Sequence, residues 1–175
     1  MHEHTGYGIE AFIRKQFQIE EKDIRSYSPL ALAYIGDGIY ELIIRTIVVS
    51  KGNRQVKKLH REASCLVKAQ AQSAMMEVLR PLLTEDEADI YRRGRNAKSY
   101  SVSKHASVND YRRATGFEAL MGYLYLTGDM DRLMELVKEA VAGYTPDEYA
   151  GTEARNRYGK AEKKQIGMQE DKRSI

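Results

Sequence analysis

Cysteine is almost missing from the 175 residues: Cys65 stands alone, so no intramolecular disulfide can form and no zinc cluster can be built from thiolates. That usage suits a reducing compartment, and the cytoplasm is the expected location. An uninterrupted membrane-length apolar run is missing too. The stretch from Leu30 to Val49 is long enough to raise the question, but Asp37, Glu41, Arg45 and two glycines break it, so a buried core helix is expected and no membrane partner. The opening MHEHTGYGIEAF lacks the basic segment, long apolar run and small-residue cleavage site of a secretory leader. Sustained period-two alternation with turn dipeptides does not occur, which argues against a sheet. His2, His4, His60 and His105 show no metal-ligand spacing with carboxylates, and there is neither a serine nucleophile elbow nor a Gly-rich phosphate loop.

What is present is the pattern of a small all-α domain. A 42% hydrophobic and 30% charged composition is that of an ordinary globular chain, and a net charge of +3 is too small to name a partner. Ser28-Pro29 opens a helix well, with a hydroxyl to accept from an exposed N–H and a proline where no donor is needed. Gly52 can close it. From Arg54 to Leu83, apolar residues near a 3.6-residue period predict two helices or one bent helix. Thr84 and Glu87 have capping-box spacing. The segment from Gly94 to Ser107, GRNAKSYSVSKHAS, reads as an exposed loop. Helical pattern resumes near Val108, halts at Gly128, and restarts behind Asp129 until Gly143 and Pro146. Three regions follow: an extension over 1–27, whose Ile9, Phe12 and Ile13 predict a short packed helix; a folded domain over 28–143; and a basic tail over 144–175, expected to be flexible.

The chemistry concentrates in two helices. In LALAYIGDGIYELIIRTIVV, Asp37, Glu41 and Arg45 recur every four positions and share one stripe of an otherwise apolar helix. A carboxylate placed there needs a cation, an ion pair or a narrow solvated face. Glu41 can pair with Arg45, whereas Asp37 has no basic residue three or four positions away. The flanking Gly36 and Gly38 serve either close helix packing or room for a ligand. Glu118, in ATGFEALMGYLYL, is a second charge where a core residue belongs. Two such residues on separate helices point to a shared site. Carboxylate-only sites favour magnesium, or manganese in its place, and hence phosphate chemistry.

The basic residues suit such a substrate. Between Tyr91 and Arg113, the seven charges of Arg92, Arg93, Arg95, Lys98, Lys104, Arg112 and Arg113 stand against only Asp110, making this the candidate phosphate-binding stretch. A solvated face is its alternative reading. Tyr91, Tyr100 and Tyr111 are interleaved with the charges and can stack on bases or pack in the core.

LAYIGDGIYE resembles the signature segment of the ribonuclease III family, and ATGFEALMGYLYL resembles its second acidic segment. With RGRNAKS, they are most similar to the stand-alone Mini-ribonuclease III branch; the likeness spans about Ser28 to Ala142, with no double-stranded-RNA-binding domain after it. The resemblance implies an all-helical, homodimeric endonuclease that hydrolyses double-stranded RNA with magnesium, leaving 5′-phosphate and 3′-hydroxyl ends. For this branch it implies maturation of the 23S ribosomal RNA precursor. Asp37 and Glu118 match the family's essential acidic residues. Ala33 stands where the larger enzymes have a glutamate and Thr115 where they have an aspartate, which leaves water and RNA phosphate oxygens to complete a metal shell. Glu41 and Thr115 are candidates to support that shell. Those two replacements also motivate another reading, a catalytically silent RNA-binding or ribosome-assembly factor; a phosphohydrolase of small esters is a third.

Overall fold

The computed structural model describes residues 8–98 and 107–146. The chain divides into two units, residues 1–144 and 145–175, and the described helices all lie in the first. They are α1 (Ile9–Phe17), α2 (Pro29–Ser50), α3 (Val56–Val67), α4 (Ala69–Leu79), α5 (Glu85–Asn96), α6 (Val108–Leu126) and α7 (Met130–Ala142). Among the described residues there is no strand, and no helix is long and apolar enough to cross a membrane.

The helix starts follow local chemistry. Ser28 Oγ accepts from the Ala31 N–H at 3.1 Å, with Pro29 in the first turn of α2. Thr84 and Glu87 close a reciprocal capping box on α5: Thr84 Oγ1 accepts from the Glu87 N–H, and Glu87 accepts from the Thr84 N–H at 2.9 Å. Gly128 takes a φ of 76°, and Asp129 then accepts from the Arg132 N–H to begin α7. Between α3 and α4 the single residue Lys68 is extended, at φ −65° and ψ 149°, so the predicted pair is two helices with a one-residue joint.

Helix α6 is central, packing against α2, α4, α5 and α7. Tyr40 and Phe117 meet edge to face at 4.8 Å, and Met75, Met76, Leu79, Leu120, Leu133 and Leu136 are fully buried around them. Burial of each such side chain contributes about 1.5–3 kcal/mol. The Tyr40 hydroxyl donates to the Leu66 carbonyl at 3.1 Å, so its polar end is satisfied inside the core.

The crossing of α2 and α6 is a main-chain contact. A Cβ at Gly36 would lie 1.8 Å from the Glu118 carbonyl oxygen, and one at Gly122 would lie 2.0 Å from that of Leu32. Only glycine permits this approach, and it offsets the roughly 1 kcal/mol that a helical glycine costs. Gly38 has nothing within 4 Å of its Cβ position and plays no such part.

Two expectations change. The loop predicted from Gly94 begins later, because α5 continues to Asn96 and buries Gly94 against Ala119 and Gly116. A segment rich in small polar residues reads as loop when the partner helix is not visible. The N-terminal helix forms, but Ile9, Phe12 and Ile13 remain 52%, 59% and 39% exposed rather than packed.

Candidate active site at the crossing of α2 and α6

Because Gly36 touches the Glu118 carbonyl, the next residue along α2, Asp37, is carried to the neighbourhood of Glu118. Burial, reinforced by the Asp37 charge, pushes the Glu118 carboxyl up to about 8. Asp37 keeps an exposed flank, yet partial burial and then the charge of Glu41 raise its carboxyl as well. Like-charged carboxyls, each made harder to ionise by its surroundings, constitute a place where a cation would be welcome. Glu41 itself is hydrogen-bonded to Arg45 along α2, so the pairing foreseen as an alternative is the one that forms.

The other positions near the two carboxylates are apolar or occupied. Ala33 is 5% exposed and packs with Leu32 and Ala119 in a small core cluster, so nothing on α2 supplies a further carboxylate there. Thr115 is buried, and its hydroxyl donates to the Tyr111 carbonyl at 3.0 Å. Among the described residues no group of three or more His, Cys, Asp and Glu is assembled to hold a metal.

One neutral neighbour escaped the sequence reading. Gln72 on α4 is 1% exposed and lies close enough to Glu118 to favour its ionised form. The available signal was the one that marked the carboxylates: with Met76 and Leu79, Gln72 falls on a buried helical stripe where an apolar residue belongs. A second missed feature is structural. Glu87, 4% exposed, accepts from Arg132 Nε at 2.9 Å and Nη2 at 3.0 Å, and Arg132 also donates to the Leu82 carbonyl at 2.7 Å, clamping α7 to α5.

The basic stretch is divided. Arg92 pairs with Asp89, and Arg113 with Glu77 of α4. Arg93 is half-buried, whereas Arg95, Lys98 and Arg112 are exposed; Lys104 and Tyr100 lie outside the described residues. Tyr91 packs its ring on Gly116, which makes it a core residue rather than a base-stacking one. Asp110, the lone acid of the stretch, is held ionised by hydrogen bonds from Ser107 and Ser73.

Residues 30–129 match the Ribonuclease III domain family. The chain is 45% identical over 136 residues to Mini-ribonuclease 3 of Clostridium tetani, covering 75% of this chain and 90% of that one. It is 49% identical over 118 residues to Mini-ribonuclease 3 of Enterococcus faecalis, covering 66% and 89%. A crystal structure of a Fusobacterium nucleatum protein superposes with a TM-score of 0.63 at 31% identity, over 70% of this chain and 98% of the other. With a helical domain crossed at Gly36 and Gly122 and an acidic pair at the crossing, the chain belongs to the ribonuclease III family, in its Mini-ribonuclease 3 branch, and is an endoribonuclease of that type.

Proposed function

We propose that the protein is a magnesium-dependent endonuclease of double-stranded RNA, working in the cytoplasm as a homodimer on the 23S ribosomal RNA precursor. The observation that carries this reading is the pairing of Asp37 with Glu118, where burial and mutual repulsion keep Glu118 protonated to about pH 8 until a positive charge arrives. Asp37 and Glu118 would hold the cation, with manganese an acceptable substitute. When bound, it would supply a lowered pKa for water and neutralisation of charge on a phosphodiester.

The remaining work belongs to the chain. Glu118 would exchange its proton for the cation, and Asp37, exposed on α2, leaves the pair open to solvent. Glu41, held by Arg45, adds negative charge beside Asp37. Thr115, its hydroxyl donated to the Tyr111 carbonyl, would support the site through its own lone pairs rather than as a charged ligand. Duplex affinity in this reading comes from the domain's own basic stretch, with Arg95, Lys98 and Arg112 exposed and Arg92, Arg93, Lys104 and Arg113 as its remaining cations. A-form RNA is then read through its phosphates and shape.

The test is incubation of purified protein with an end-labelled RNA duplex, with magnesium and with a chelator. Magnesium-dependent products bearing 5′-phosphate and 3′-hydroxyl ends are expected. Binding without cleavage would instead support the silent RNA-binding reading that Ala33 and Thr115 motivate.

A further inference from the structure

Helix α4 directs two buried polar side chains at polar groups of α6: Ser73 donates to Asp110, and Gln72 lies beside Glu118. Their situations differ. Ser73 and Asp110 complete a cap together with Ser107, whereas neither Nε2 nor Oε1 of Gln72 closes a hydrogen bond of proper geometry among the described residues. A carboxamide 1% exposed in this way is expensive, since a buried polar group left without a partner has given up its hydrogen bonds to water for nothing in return. Methionine or leucine would fill the same stripe with Met76 and Leu79 at no such cost. A residue that weakens the core for no packing gain is explained by work at the neighbouring site.

We propose that Gln72 is a positioning residue of the cleavage site, its buried carboxamide fixing the orientation of the Glu118 carboxylate from below so that it and Asp37 receive the divalent cation together. The amide N–H is the donor an ionised carboxylate accepts from, and Oε1 remains to accept from a water in the same shell. This inference rests on the reading that Asp37 and Glu118 hold a divalent cation.

The experiment titrates the full chain with Mn2+, followed by electron paramagnetic resonance of the unbound ion. Wild type is compared with Gln72→Met, Gln72→Leu and Glu118→Gln, alongside cation-free thermal melts and cleavage assays. Gln72→Met and Gln72→Leu are expected to weaken Mn2+ binding about 10–100-fold, the usual effect of removing a partner that orients a metal ligand, with melting temperatures equal to or above wild type. Wild-type Mn2+ affinity in both variants overturns the proposal, and so does a lost fold or a sharp fall in melting temperature in both, because Gln72 would then be a packing residue. If Glu118→Gln binds Mn2+ like wild type, the cation reading of the acidic pair falls first and carries this inference with it.

Discussion

The α-carbon of Gly36 lies so close to the carbonyl oxygen of Glu118 that a Cβ there would approach it to 1.8 Å. The helix crossing and the acidic pair are thus a single construction. Gly36→Ala should cost about 3 kcal/mol or more in urea denaturation, since the clash is with main chain that has no rotamer to change. Gly38→Ala, two residues on with open space at its Cβ, should instead stabilise by about 0.5–1 kcal/mol. Equal effects at the two positions would contradict the crossing as described.

Asp37→Asn and Glu118→Gln each remove one charge with little change of shape. Cleavage of a labelled duplex is expected to fall on the order of 10²–10³-fold or further, while the helical circular-dichroism spectrum is retained. Undiminished cleavage by either variant would remove the acidic pair from the mechanism.

Two glutamates make opposite demands on pH. Glu118 titrates near 4.5 when unfolded and near 8 in the folded, cation-free protein, so the native state binds the extra proton between those values. Its contribution is fully present below about pH 4.5 and is lost as pH rises through 8. Melting temperatures in chelator should carry a downward component across that window, absent from Glu118→Gln. Glu87, lowered chiefly by its hydrogen bond from Arg132, contributes above 4.5 and loses that contribution as pH falls through its folded value.

Arg132→Met leaves the buried Glu87 carboxylate with only its Thr84 contacts. A loss of about 3 kcal/mol at neutral pH is expected, at the low end for a broken buried pair because Arg132 retains 21% exposure. Chemical denaturation measures it, and Arg132→Met combined with Glu87→Gln should recover part of the loss.

The exposed cations can be separated from the paired ones by salt. In a cleavage-deficient Glu118→Gln background, Arg95→Ala and Lys98→Ala should each weaken duplex binding and lower the log–log salt slope by about 1. Arg113→Ala should change the slope less, because its guanidinium is already engaged by Glu77. Fluorescence anisotropy at several salt concentrations distinguishes the two cases.

What the sequence disclosed was whatever physics acts locally. Caps at Ser28, Thr84 and Asp129 are written within four residues of the helices they start, and Asp37 and Glu118 stand out because a charge in an apolar helix is visible without knowing its neighbour. What it concealed depends on distant partners. Glu87 is legible as a capping residue, but its pairing with Arg132 spans 45 positions. Gly94 looked like the start of a loop because Gly116, the surface it packs on, lies on another helix. Gln72 was hidden for a related reason: a glutamine is ordinary on an exposed face and becomes telling only once burial places it inside.

The extension of α5 to Asn96 changes what the basic stretch can do. Arg92, Arg93 and Arg95 project from hydrogen-bonded main chain pinned at Gly94, so their spacing is set before any RNA arrives. A phosphate ladder meeting that helix end need not pay the ordering entropy that cations on a slack loop would impose. On the proposed reading, Arg95 at this helix end would meet a phosphate from a fixed position, whereas Arg92 is already engaged by Asp89.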